Sequence, residues 1–187
     1  MSRNHQYYKT IYADPPWEER GGGEIKRGAD AHYPLMKLHA IVALPVRELA
    51  DPSDGCHLYL WATNYFLDSA FYVMKEWGFT YITIITWMKD RPGLGQYFRG
   101  VTEHCLFGVR GNLPWKMIDG KRAQGMTGFL APRREHSRKP DEMRQMIERV
   151  SFEPRIELFA RTQSPGWDVW GNETNKFTIS NTERGNE

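Results

Sequence analysis

The sequence predicts a single-domain α/β protein, and three observations carry that expectation. Strand-like and helix-like segments alternate along the chain, as a layered sheet-and-helix fold requires. At 187 residues the chain has the length of one domain and would be cramped as two. Hydrophobic residues make up 40% of it and aromatics 13%, enough apolar surface for a sizeable core, so a disordered chain is excluded.

Each element follows in order. Tyr7 to Ala13 reads as a short strand that must stop at Asp14, because Pro15 and Pro16 in succession cannot continue a central strand. A loop with Gly21, Gly22 and Gly23 follows, and the stretch from Lys37 to Ala50 has helical spacing interrupted at Pro45. His57 to Thr63 has the apolar density of a buried strand, and Tyr65 to Trp77 the spacing of a helix ended by Gly78. Phe79 to Met88 is rich in Ile, Thr and aromatics, the composition of a central strand. Residues 91–99, with Pro92, Gly93 and Gly95, form a loop, and Glu103 to Val109 a further strand. A long irregular stretch is expected from Leu113 to Arg138. Pro140 then suits the first position of a helix whose Asp141 and Glu142 complement the helix dipole and whose Met143, Met146, Ile147 and Val150 face the core. Arg155 to Arg161 is the last expected strand. The domain is expected to run over residues 1–175, with a polar tail at 176–187.

Charge and cysteine content exclude several classes. The formal net charge is only +2, but nine basic residues stand against five acidic ones between Lys116 and Arg149, and Arg133, Arg134, Arg138 and Lys139 fall within seven positions. Such a cluster is either a solvated face or a strip facing phosphates or carboxylates. Cys56 and Cys105 are isolated, so neither a disulfide framework nor a zinc pattern is expected, and the histidines show no metal spacing. No apolar run approaches a membrane span, and the start MSRNHQYYKT has no signal-like segment, so a cytoplasmic protein away from membranes is expected.

The motif with the most chemistry is Asp14-Pro15-Pro16-Trp17. In open α/β sheets ligands bind at the carboxyl ends of strands, and Asp14 is at such an end. A carboxylate fixed by two prolines beside an aromatic ring suits a planar base with an exocyclic amine: the Asp14 carboxylate and the Pro15 carbonyl accept its N–H groups, and Trp17 stacks on its ring. Both acceptors push electron density onto that nitrogen and stabilise the positive charge it gains on attacking an electrophilic methyl group.

Taken together, Asp14 to Trp17, LYLWAT at Leu58 to Thr63, ITWMK at Ile85 to Lys89, EHCLFGVRGN at Glu103 to Asn112, HSRKPDEMRQMIERV at His136 to Val150, IELFAR at Ile156 to Arg161 and WGNE at Trp170 to Glu173 stand in one order. In this the sequence resembles the MT-A70 family of S-adenosylmethionine-dependent N6-adenine methyltransferases. The resemblance implies a Rossmann-like class I methyltransferase sheet with a permuted motif order, the catalytic strand preceding the cofactor-binding strand. It implies that Asp14 to Trp17 form the adenine-amine pocket, with Asp14 also against the methionine end of the cofactor. Lys139 matches a lysine beside the cofactor carboxylate. Glu157 and Arg161 match residues around the cofactor ribose and methionine, with an internal Glu157–Arg161 ion pair as the structural alternative. Asn172 and Glu173 match the adenosine-side pair, Glu173 standing where the eukaryotic enzyme has an amide. Tyr33, Lys89 and Glu103 match positions near methyl transfer, and Arg134 a segment gating the substrate channel. Arg133 and Arg138 are read as facing phosphates or water.

The resemblance further implies direct in-line methyl transfer to the N6 of an unstacked adenine, with no metal. With no separate recognition domain visible, the chain is most similar to bacterial or phage DNA methyltransferases, which makes DNA the expected substrate and RNA the alternative. A catalytically silent nucleic-acid-binding subunit is a third reading, and a homodimer through the 91–99 and 113–130 loops is a further expectation.

Overall fold

The computed structural model describes residues 6–18, 35–93, 97–134, 138–160 and 163–170. The expected domain boundary at residue 175 and the glycine run at 21–23 lie outside them.

Seven strands form one sheet in the order β7-β3-β4-β2-β1-β8-β9. They are β1 (Thr10–Ala13), β2 (Gly55–Ala62), β3 (Thr80–Lys89), β4 (Thr102–Gly111), β7 (Gly128–Ala131), β8 (Arg155–Leu158) and β9 (Asp168–Trp170). Two more short strands, β5 (Met117–Ile118) and β6 (Lys121–Arg122), pair only with each other. β4 runs antiparallel to both neighbours, β2 and β3, whereas every other adjacent pair is parallel. The amino end of β4 therefore shares an edge with the carboxyl ends of the other six strands, and that edge carries the candidate site.

Period-two alternation divides the core between the faces of the sheet. Ile11, Ala13, Leu58, Leu60 and Leu106 turn to the face covered by α1 (Leu38–Val42), α2 (Val46–Leu49) and α3 (Leu67–Glu76). Tyr12, Tyr59, Trp61 and Cys105 turn to the other face, where Met143 and Ile147 of α4 (Asp141–Val150) pack. Leu58, Leu60, Leu106 and Ile147 are wholly buried, and each such side chain contributes about 1.5–3 kcal/mol of transfer free energy. Pro45 separates α1 from α2, as its missing N–H and fixed ring require. Gly78, at φ +82, ends the α3 turn, and the Trp77 indole N–H donates to the Ile41 carbonyl at 3.1 Å, tying α3 to α1. Gly108 permits close approach between layers: a Cβ there would stand 2.8 Å from Met74 Sδ. Among the described residues no helix is long and apolar enough to cross a membrane.

The structure corrects four expectations. Residues 113–138 are not irregular throughout, since they contain the β5–β6 hairpin and the edge strand β7. Strands of two and four residues are too short to show periodicity. Lys116 fastens this segment to α4, its ammonium donating to the carbonyls of Glu148 and Ser151 at 2.6 and 3.3 Å, at the negative end of that helix. Pro140 caps α4 in an extended conformation rather than opening its first turn. Arg155–Leu158 is not the last strand, because β9 follows. The strand also stops at Leu158 rather than running on through Ala160, and Phe159 takes a φ of +62.

Candidate active site

β1 lies between β2 and β8, with Ala13 in register with Leu60 on one side and Leu158 on the other. Asp14 follows immediately, so its backbone is fixed by two strands before the prolines begin. The Trp17 N–H folds back onto the Pro15 carbonyl at 2.9 Å, and the Met36 N–H donates to the Pro16 carbonyl at 2.8 Å. Trp17 is a wedge under this turn. It is buried, its ring stacks on Phe66 at 5.6 Å and 16°, and its indole N–H donates to the Trp61 carbonyl at 3.1 Å. That corrects the expectation of an open stacking surface, since a ring next to a Pro-Pro corner is more favourably buried than left wet.

Four charges alternate along the sheet edge. Lys139, just ahead of α4, donates to Asp14 Oδ2 at 2.8 Å and lies 3.3 Å from Glu103 Oε2. The other Glu103 oxygen accepts from Lys89. Lys89 ends β3 and Glu103 begins antiparallel β4, which is why residues so far apart in sequence meet. Indole rings floor the row: the Lys139 ammonium is 5.3 Å from the Trp61 ring centre and that of Lys89 is 5.0 Å from Trp87. Such placements are favourable for desolvated cations. The Trp61 indole N–H in turn donates to the Tyr12 hydroxyl at 2.6 Å.

The electrostatics follow from this geometry. Burial raises the Glu103 pKa, but Lys139 and Lys89 outweigh burial and bring it below the ordinary carboxylate value. Burial lowers that of Lys139, and Asp14 and Glu103 more than restore it, so the ammonium is held above its usual range. Glu157, on β8 beside Tyr12, is different. Burial raises its pKa, Arg144 opposes the rise, and Asp14 adds to it.

Asp14, Lys139, Glu157, Arg144, Tyr12 and Phe159 line one cleft. Its three carboxylates, with Asp141, and three cations, with Arg138, fit the amino-acid end of S-adenosylmethionine, which carries an ammonium and a carboxylate on one carbon. Sequence reasoning missed Arg144. The signal was a basic residue next to Met143 on a helix whose apolar positions fix the buried face.

Arg134 does not reach this row. It donates to Asp141 at 2.6 Å and approaches Glu142 at 3.6 Å, folded back on the first turn of α4. Arg138 also bonds Asp141, at 3.2 Å, and is largely exposed. The Arg133 N–H is held by Asp90 at 2.8 Å. Tyr33, Arg161, Asn172 and Glu173 lie outside the described residues. A wider cleft at the opposite, amino edge of the sheet, between Glu153, Arg155 and Asp168, is remote from Asp14.

Residues 8–173 match the MT-A70 family. The chain is 30% identical to the Type II methyltransferase M.MunI of a Mycoplasma species, over 92% of this chain and 81% of that protein. It is 33% identical to a probable N(6)-adenosine-methyltransferase MT-A70-like protein of rice, over 90% of this chain and 23% of the other. It is 31% identical to the human N(6)-adenosine-methyltransferase catalytic subunit METTL3, over 89% and 28%. The chain thus spans about a quarter of the eukaryotic relatives' length and most of the mycoplasmal one. With Asp14 at the end of its central strand and Lys139 beside it, the chain belongs to the MT-A70 family of S-adenosylmethionine-dependent N6-adenine methyltransferases.

Proposed function

We propose that the chain methylates the N6 amine of adenine in DNA, with the target base unstacked and its amine brought to Asp14 and the Pro15 carbonyl. The observation that carries this reading is the ion pair of Lys139 with one oxygen of the carboxylate closing β1, Asp14 Oδ2. It fixes that group at the sheet edge with Oδ1 turned to other uses. An amine N–H on Oδ1 and its second N–H on the Pro15 carbonyl orient the nitrogen lone pair and stabilise the positive charge it acquires. S-adenosylmethionine, when bound, supplies an electrophilic methyl group. The proton that N6 sheds afterwards passes to Asp14 or to water. Trp17 keeps the Pro-Pro corner rigid, Glu103 and Lys89 hold Lys139 in place, and Tyr33 serves the methyl-transfer site, as the family resemblance implies. Lys139, Glu157, Arg161, Asn172 and Glu173 hold the cofactor. Arg133, exposed just after β7, faces the polynucleotide backbone, while Arg134, folded back on the first turn of α4, borders the substrate channel and the exposed Arg138 stands at the mouth of the cleft.

DNA is favoured because M.MunI, a Type II methyltransferase, matches over most of its own length as well as this chain's. RNA is the second reading, favoured by the N(6)-adenosine-methyltransferase relatives. One experiment separates them: labelled methyl transfer to matched single- and double-stranded DNA and RNA, followed by nucleoside analysis. N6-methyladenine formed in DNA and not RNA is the expected result. Label in RNA alone reverses the substrate, and no label in any polymer, with cofactor bound, points to the silent-subunit reading.

A further inference from the structure

We propose that Arg144 and Glu157 together read the amino-acid end of the cofactor, the Arg144 guanidinium taking its carboxylate and Glu157 its ammonium. This rests on the cofactor reading of the cleft and deepens it by assigning Arg144, which no comparison of motifs singles out. Arg144 Nη2 pairs with Glu157 Oε2 at 2.8 Å. Arg144 Nη1 is buried and has no hydrogen-bond partner among the described residues. Buried donors are rarely left so, and a spare donor beside a paired carboxylate marks a place where a further acceptor completes the set. An α-amino acid does so: its carboxylate accepts, and its ammonium donates, from neighbouring atoms.

Arg144 is also held ready. Its guanidinium stands 5.3 Å from the Trp167 ring centre, the Trp167 indole N–H donates to Glu148 Oε1 at 2.8 Å, and the ring packs on Tyr12 at 5.9 Å. A guanidinium stacked on a fixed indole loses little freedom when it takes a carboxylate, and its planar fork matches that group in two contacts. Lys139 is shared between Asp14 and Glu103, and Arg144 adds a further mostly buried cation whose Nη1 has no partner among the described residues. Asp14 and Asp141 face the same cleft, and with Glu157 they balance Lys139, Arg138 and Arg144, which suits a ligand end of zero net charge.

The test is calorimetric titration of the full chain with two compounds. S-adenosylhomocysteine carries the amino-acid end; 5′-methylthioadenosine shares the nucleoside and thioether and lacks it. Arg144→Gln is expected to weaken S-adenosylhomocysteine about 10- to 100-fold while leaving methylthioadenosine unchanged. Arg144→Lys should recover part of that loss, keeping the charge without the fork, and Glu157→Gln should show the same selective loss from the other partner. Parallel weakening of both compounds would assign Arg144 a structural role and overturn the proposal, as would unchanged affinity for both. A wild-type chain that binds neither compound would sink the cofactor reading itself, an outcome distinct from a wild type that binds both and variants that do the same.

Discussion

Lys139 Nζ lies 2.8 Å from Asp14 Oδ2 although the two residues are separated by most of the chain, one at the end of the central strand and one ahead of the last helix. The pair joins the two segments that any ligand in the cleft must touch. With Glu103 and Lys89 it forms a neutral row in which each inner group has an opposite charge on both sides.

Asp14→Asn keeps the shape of the side chain and its turn but loses the charge. Methyl transfer under cofactor saturation should fall at least about 100-fold, while circular dichroism and the unfolding transition stay near wild type. A variant retaining most of its single-turnover rate would remove Asp14 from the reaction.

Lys139→Met leaves the Asp14 and Glu103 carboxylates facing each other without the cation between them. Both are mostly buried, at 23% and 15% side-chain exposure, so destabilisation of about 1–3 kcal/mol is expected. The double variant Lys139→Met/Glu103→Gln should recover part of it. Urea unfolding of Lys139→Met, Glu103→Gln and the double variant checks this, and strict additivity would mean that the pair is not coupled.

His57 gives a pH dependence independent of the cleft. Burial lowers its pKa to about 4, and its Nδ1 is 2.8 Å from Ser151 Oγ. The folded state therefore binds fewer protons than the unfolded chain between about pH 6.5 and about 4, and stability must drop as pH falls through that window. The loss should reach roughly 3 kcal/mol. Melting temperature against pH for wild type and His57→Asn would show the slope in the first and not in the second.

Glu103 acts lower on the scale. Its depressed pKa means that the stability it contributes is present above the ordinary carboxylate value and is lost as pH falls through the lower folded value. The deficit of Glu103→Gln relative to wild type should be constant through neutral pH and shrink only in that acid range.

Trp17→Phe preserves the ring stacked on Phe66 and loses the bond to the Trp61 carbonyl. A cost of about 1 kcal/mol in stability is expected, with transfer nearly unchanged. Trp17→Ala should cost about 3–5 kcal/mol. A large rise in KM for Trp17→Phe, without loss of stability, would return the ring to the substrate.

How far the sequence foretold this arrangement depends on the range over which each signal acts. Local signals were legible: Pro15 and Pro16 ended β1, Pro45 split α1 from α2, and Gly78 ended the α3 turn. Asp14 and Lys139 were singled out because their motifs are ordered, and the structure brings them together. The pairing was not, because nothing in sequence says that Lys139 spans both Asp14 and Glu103, or that Glu157 meets Arg144. β7 and β9 were missed because short strands at a sheet edge and beyond the last apolar run derive their pairing from neighbours. Trp17 was misread because exposure is decided by Phe66 and Trp61, which arrive from another part of the chain.

The reversed direction of β4 has a consequence for how this scaffold can diversify. The segment between Lys89 and Val101 leaves and re-enters the sheet at one point, closed by the Lys89 N–H to Val101 carbonyl bond at 2.8 Å and again by Gly93 to Gly100 at 2.7 Å. Its ends are thus fixed by the backbone, whatever side chains it carries. Residues 91–99 can therefore be exchanged as a cassette next to Lys89 and Glu103 while the charged row at the sheet edge keeps its place.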